Sequence, residues 1–329
     1  MKEKRKNNDE ILKEALKKQI EDIEGLDCIE SGKGLFFKKR EKEENWEFVK
    51  RTFCDDMSKK TFYKLYEQAI NGSGGEGKNM NNVISSALFP FLFFSKVSSR
   101  NYIKIDGVKY TRVCFEYKNR TLNGNTDSAP SNIDVVLADK EYYNIMFIES
   151  KFGEYFYSAK KTCKLSIEYD INGGTKGIFE SLQERLKGSS IKIIKDNENI
   201  VFSDKKEKHY FEGIKQIITH ISGLYNYMEG NHCDCNTFNI FDKDKQKIKD
   251  KYREAKFKLQ EIVFDFSAFG LGKDELEDYK DLHEKIFGDK ELFPDIKIGK
   301  LKTYQDIIKN NKCYISNLDK KIIKLYNLN

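Results

Sequence analysis

Two apolar runs near the middle of the 329-residue chain constrain its fold more than any other feature. Asn132-Ile133-Asp134-Val135-Val136-Leu137 comes first. Asn144-Ile145-Met146-Phe147-Ile148-Glu149-Ser150-Lys151-Phe152 follows, after a polar break that contains Lys140-Glu141. Both runs are rich in β-branched or aromatic residues and read as two strands of a hairpin. Each carries charge that a buried sheet tolerates poorly: Asp134 in the first, Glu149 and Lys151 in the second. Side chains two apart on a strand share a face, so Glu149 and Lys151 project together. If Asp134 lies on that face of the neighbouring strand, two carboxylates and an ammonium meet in a partly apolar setting. Unpaired buried charge is expensive, so such a cluster persists only when its members satisfy one another or bind something. Two carboxylates suit Mg²⁺, which takes one or two carboxylates together with water and phosphate oxygens. The plainer alternative is a pair of edge strands whose charges face water.

The pattern resembles the PD-(D/E)XK nuclease superfamily, the restriction-endonuclease-like fold. Its signature is an Asp at the end of one strand, then Glu or Asp, any residue, and Lys on the next. The resemblance implies Asp134 as the first acid, Glu149 as the second and Lys151 as the lysine, with Ile133 where the family often has Pro. It implies an α/β fold, a mixed central sheet flanked by helices. In the superfamily a helix before the first core strand often supplies another acid. Glu76 is the candidate here, in Asn71-Gly72-Ser73-Gly74-Gly75-Glu76-Gly77-Lys78, ahead of an apolar-periodic run through Val83, Ile84, Ala87 and Leu88. Downstream, Phe211 to Ile221 reads as a helix with Ile214, Ile217, Ile218 and Ile221 on one stripe. Many members carry Gln or Lys on that helix near the active site; Gln216 matches, with Lys215 and His220 as weaker companions. The Ser85-Ser86-Ala87-Leu88 and Gln216 to His220 runs also look like a bacterial group of restriction endonucleases.

The resemblance therefore implies a Mg²⁺-dependent DNA endonuclease, a restriction or defence enzyme. Asp134, Glu149, Glu76 and the carbonyl of Ser150 are its expected metal ligands, and Mn²⁺ is expected to substitute. Lys151 would orient or activate the attacking water. Double-stranded DNA is the favoured partner, and cutting both strands with one active site per chain favours a homodimer. Two readings compete: a catalytically silent nucleic-acid-binding module on the same fold, and a charged helical scaffold for protein interactions.

The glycine loop imitates two nucleotide motifs. Gly72, Gly74 and Gly77 satisfy G-x-G-x-x-G, and Gly72 to Lys78 satisfies G-x-x-x-x-G-K. A P-loop needs Ser or Thr next, yet Asn79 follows. The residues before the loop, among them Phe62, Leu65, Tyr66 and Ala69, have helical rather than strand spacing, so a connection leading to Glu76 is the better reading. With 59 basic and 53 acidic residues the net charge is only +6, so any basic surface must come from segregation of charge. Lys38-Lys39-Arg40, Lys160-Lys161, Lys205-Lys206 and Lys247 to Lys258 are candidate phosphate-binding runs, or simply solvated faces. Seven scattered cysteines and a charged rather than signal-like start point to reduced thiols in a cytoplasm. His232-Cys233-Asp234-Cys235 groups metal-ligand residue types, but no second pair lies at zinc-finger spacing. The longest apolar run, Ala87 to Phe94, is too short to span a bilayer.

Three regions are expected: a helical N-terminal extension over 1–70, a catalytic core over 71–230, and a mainly helical C-terminal region over 231–329, either packed on the core or separate from it. Within the last, Glu261-Ile262-Val263-Phe264-Asp265-Phe266 is strand-like. It fits either an addition to the central sheet or part of a target-recognition region.

Overall fold

A computed structural model describes residues 2–32, 34–71, 76–119, 131–157, 162–171, 175–204, 210–228, 255–288, 292–293 and 295–328. The strands, in chain order, are β1 (Cys28–Ser31), β2 (Gly34–Phe37), β3 (Ile103–Ile105), β4 (Val108–Tyr110), β5 (Arg112–Asn119), β6 (Ser131–Ala138) and β7 (Asn144–Lys151). There follow β8 (Thr162–Ser166), β9 (Ile191–Lys195), β10 (Asn199–Asp204), β11 (Lys256–Val263), β12 (Ile296–Ile298) and β13 (Lys302–Thr303).

The central sheet is mixed, in the order β12-β11-β7-β6-β5, with β13 also paired to β11. The expected hairpin is present: β6 and β7 are antiparallel, with Val135 opposite Ile148 and Leu137 opposite Met146. β5 pairs antiparallel with β6, and β11 runs parallel to β7. β7 is therefore interior, and every residue after Asn144 is buried. Burial on both faces explains why its sequence is nearly continuous apolar rather than alternating.

One face of the sheet is covered by the Phe211–Met228 helix, whose Ile214, Ile217, Ile218, Ile221 and Leu224 are all buried, and by the Lys273–Phe287 helix. The other face receives the Leu88–Phe94 helix. Phe89 packs against Phe152 and Phe264 with ring centroids 5.3 and 5.0 Å apart, and Phe91 against Phe115 at 5.4 Å. Phe62 of the Lys59–Ile70 helix packs in turn on Phe91 at 5.7 Å. A single cluster of buried hydrophobic residues extends from Leu12 to Leu328.

Local chemistry explains the smaller elements. β3 and β4 form a hairpin whose two-residue turn, Asp106-Gly107, has φ of +50° and +80°, the type I′ pairing that Asp-Gly favours. β8, β10 and β9 make a separate antiparallel sheet.

Several expectations need correction. Region 1–70 is not uniformly helical. The helices Lys2–Glu21, Asn45–Phe53 and Lys59–Ile70 are interrupted by the β1–β2 hairpin, which turns around Gly32 at φ +57°. The apolar-periodic run through Val83 to Leu88 is mostly turns. There Asn82 Oδ1 accepts from the Ile84 amide (3.3 Å), and Ser85 Oγ accepts from those of Ala87 (3.1 Å) and Leu88 (3.3 Å). Such local side-chain bonds compete with helix. Of the glycine loop, Gly72 to Gly75 lie outside the described residues, as do Lys160-Lys161, Lys205-Lys206, Lys247 to Arg253 and His232 to Cys235. Of the two readings of Glu261–Phe266, addition to the central sheet holds for Glu261 to Val263, which close β11. Cys28, Cys54, Cys114, Cys163 and Cys313 are free thiols. No helix among the described residues is long and apolar enough to cross a membrane.

Candidate active site

β6 and β7 place Asp134 and Glu149 side by side. Asp134 and Glu149 are the next residue on each strand beyond the last register pair, Val135 opposite Ile148, and lie close enough for the Glu149 charge to act on Asp134. Asp134 Oδ2 accepts a hydrogen bond from the Ser150 amide at 2.6 Å. Lys151, two residues beyond Glu149 on the same face, donates from Nζ to Glu149 Oε1. Glu149 and Lys151 are only 1% and 6% exposed, so the charges stand inside the fold and are not an edge-strand rim. The alternative of water-facing charges is thereby excluded for these two residues.

The second Glu149 oxygen is held by His220 of the Phe211–Met228 helix, with Nε2 2.7 Å from Oε2. A carboxylate can only accept, so Nε2 carries the proton. In the neutral ring Nδ1 then accepts from the Ser131 hydroxyl, with which it is hydrogen-bonded. A chain Ser131–His220–Glu149–Lys151 thus ties the start of β6, the helix and the end of β7 together. Behind the site, Ser150 shares a hydrogen bond between its Oγ and the Tyr304 hydroxyl at 2.7 Å.

The remaining candidates fall out as follows. Gln216 lies one turn before His220 on the same helix face and is half-buried. Among the described residues its side chain makes no hydrogen bond to Asp134, Glu149 or Lys151; the helix reaches Glu149 through His220. Lys215 pairs instead with Glu212 at 3.2 Å. Glu76 opens the short Glu76–Asn79 helix, but its side chain lies outside the described residues. Ser150 spends its amide on Asp134 and its hydroxyl on Tyr304, leaving its carbonyl as the group expected at a metal.

Two acids that the motif did not single out extend the row. Glu261 of β11 is the register partner of Glu149 and is fully buried. On the other side Glu116 of β5 and Asp134 of β6 both fall in the gap between the Phe115–Val135 and Tyr117–Ile133 pairs. Its φ of +50° interrupts an otherwise extended strand. Acids on four adjacent strands therefore share one level of the sheet. The only sequence signal for Glu261 was a carboxylate opening an apolar strand.

Burial and neighbours set the charges. Burial pushes the Asp134 carboxyl well above its ordinary range, and the adjacent Glu149 charge pushes the same way. Burial would raise Glu149 too. The Lys151 charge, then His220, outweigh it and hold that carboxyl below the usual range. For Lys151 burial favours the neutral amine, but Glu149, Tyr210 and Asp134 overcome this and raise its pKa, so the ammonium persists.

The donor set is compatible with a hard divalent cation. Asp134 Oδ1 has no hydrogen-bond partner among the described residues, and each Glu149 oxygen keeps lone-pair capacity beyond its present donor. The like-charge repulsion that raises Asp134 is what a cation between the two carboxylates would relieve. No three His, Cys, Asp or Glu side chains among the described residues converge as a ready-made cage. Mg²⁺ usually completes its shell with water and phosphate instead. In comparisons with known proteins, no family model, no curated protein and no solved structure matches the chain.

Proposed function

We propose that the chain is a metal-dependent nuclease of the restriction-endonuclease-like type, hydrolysing phosphodiester bonds in DNA. The observation that carries this reading is the convergence of Asp134, Glu149 and Lys151 on one buried face of a mixed sheet, with Lys151 bonded to Glu149. The flanking helices and the intact acid, acid and lysine set support it over a silent module or a scaffold. Asp134, Glu149 and the Ser150 carbonyl would hold Mg²⁺ or Mn²⁺. When bound, the ion supplies charge neutralisation for the phosphodiester and a more acidic water. Lys151 keeps its charge and offers its remaining N–H donors to a phosphate oxygen as that oxygen gains charge. His220, braced by Ser131, fixes the orientation of the Glu149 carboxylate. Double-stranded DNA as substrate, a homodimer as the cutting form, a cytoplasmic location and a restriction or defence role belong to the same proposal.

Cleavage of plasmid and single-stranded DNA with Mg²⁺ or Mn²⁺, wild type against Asp134→Asn, tests it. The amide keeps an acceptor for the Ser150 N–H, so the fold should survive. Cleavage should need metal and fall by about 100-fold or more in the variant, the scale on which loss of one transition-state-stabilising group acts. Undiminished cutting by Asp134→Asn would sink the assignment.

The Ser131–His220–Glu149 chain favours one second reading, a serine hydrolase in which His220 takes the Ser131 proton. Labelling of Ser131 by a fluorophosphonate would support it, and an unlabelled Ser131 would remove it.

A further inference from the structure

A cavity of about 860 Å³ lies beside the first residues of β5, between the Lys59–Ile70 helix and the turn that follows the Leu88–Phe94 helix. It shares no residue with the acid site. Arg112 and Glu116 are four positions apart on β5, about 13 Å at the usual strand rise. The volume is within the range of small-molecule sites, about 300–1,000 Å³.

The charge of its walls is one-sided. Lys64, Lys96, Arg100, Arg112 and Lys140 line it against a single carboxylate, Asp56. That carboxylate is already bound by Lys96 at 3.0 Å, and Lys140 lies 3.8 Å from Glu141. Arg112 stacks over the Tyr142 ring at 4.5 Å. Lys64 and Arg100 have no acid within ion-pair distance among the described residues. Cations gathered on a concave wall focus the local field and attract anions.

The loop that carries Arg100 is braced for such a role. The Ser98 amide donates to the Asn101 carbonyl at 2.9 Å, and the Asn101 amide to Ser98 Oγ at 3.1 Å. Asn317 Nδ2 donates to Asn101 Oδ1 at 2.9 Å, while Lys96 Nζ donates to the Asn317 carbonyl at 3.1 Å. A loop fixed in advance loses little freedom when a ligand arrives.

One feature separates this cavity from a bare phosphate site. Met57, Leu65, Val97 and Val113 give it an apolar lining. Charge for phosphates and apolar surface for a ring together describe one ligand class. We propose that this cavity binds a free nucleotide. Its phosphates meet Lys64 and Arg100, and its base lies on the apolar lining.

Calorimetric titration of the full chain with ADP, in excess EDTA so that the acid site takes no part, tests the assignment independently of any cleavage. The expected dissociation constant is below about 1 mM. Arg100→Glu and Lys64→Glu, both at exposed positions, should each weaken binding by about tenfold or more with the circular dichroism spectrum unchanged. Pyrophosphate, which lacks the ring, should bind several-fold more weakly. ADP binding that survives both substitutions overturns the site. Pyrophosphate binding as tightly as ADP overturns the nucleotide. Binding of an unphosphorylated-end oligonucleotide with none of ADP reassigns the cavity to nucleic-acid backbone and overturns the proposal.

Discussion

Glu149 and Glu261 are register partners on adjacent parallel strands and are equally buried, yet their environments drive them in opposite directions. Glu149 has an ammonium on one oxygen and an imidazole N–H on the other, and it stays ionised. Glu261 has the Tyr279 hydroxyl donating to Oε1 at 2.6 Å, while Oε2 accepts no hydrogen bond. The nearest cation-capable group is His283, with Nε2 3.8 Å away and itself unpartnered. Burial pushes Glu261 up to about 7 and pulls His283 down to about 4. Depth in the sheet therefore does not make a charged carboxylate; specific donors do. One helix serves both acids. His220 reaches Glu149, and seven residues earlier Gly213 lies so close to the Glu261–Tyr279 pair that a Cβ there would overlap the Tyr279 hydroxyl.

The largest effect should come from stripping each acid of its principal partner. Lys151→Ala leaves Glu149 buried with an uncompensated charge and should cost about 3–5 kcal/mol, read from urea unfolding at pH 7. Tyr279→Phe removes one hydrogen bond from a carboxyl that is largely neutral below pH 7 and should cost about 1 kcal/mol at pH 6. Equal losses from the two substitutions would break the contrast between the sites. The same reasoning makes Lys151→Ala a poor probe of chemistry alone, since its loss of activity would be mixed with loss of fold.

Next in size is the pH dependence. Glu261 titrates near 7 in the fold and near 4.5 when unfolded, so the folded state holds the extra proton between those values. Its contribution to stability is complete below pH 4.5 and lost as pH rises through 7, a change on the order of 3 kcal/mol. His283 behaves in the opposite sense. Its folded pKa of about 4 lies below the ordinary 6.5, so its contribution is complete above 6.5 and lost as pH falls toward 4. Glu261→Gln should flatten the alkaline limb, making the variant the more stable protein at pH 8. Unfolding curves at pH 5, 6.5 and 8 would show this. An unchanged alkaline limb in the variant would mean that Glu261 is ionised in the fold.

The same pair shows what the sequence could reveal. Asp134, Glu149 and Lys151 were legible because they interrupt local runs of β-branched and aromatic residues, and a hairpin brings them together over a short loop. The Phe211–Met228 helix was legible from its isoleucine stripe, although His220 rather than Gln216 proved to be the residue that touches Glu149. Glu261 was not legible as a neighbour of Glu149. Parallel pairing of 256–263 with 144–151 joins segments more than 100 residues apart, and no turn or periodicity records the register. The β1–β2 hairpin escaped notice because four-residue strands carry too few side chains to show alternation. The turns around Asn82 and Ser85 did so because their side-chain caps override an apolar spacing that suits a helix.

The smallest effect, and the most discriminating for chemistry, belongs to Ser131→Ala. Its hydroxyl satisfies His220 Nδ1, but Ser131 is half-buried and water can take its place, so the stability cost should be about 1 kcal/mol. In the nuclease reading Ser131 only braces the ring that orients Glu149, and DNA cleavage should fall by no more than about tenfold, the lower end of what an outer-shell partner contributes. In the serine-hydrolase reading the same oxygen forms the covalent bond, and its removal abolishes turnover. A cleavage assay on Ser131→Ala, beside a urea titration showing the fold intact, thus distinguishes a carboxylate held for metal and phosphate from one that serves a nucleophile. It also shows whether the donors that keep Glu149 ionised, in contrast to Glu261, act on its position or on a proton in transit.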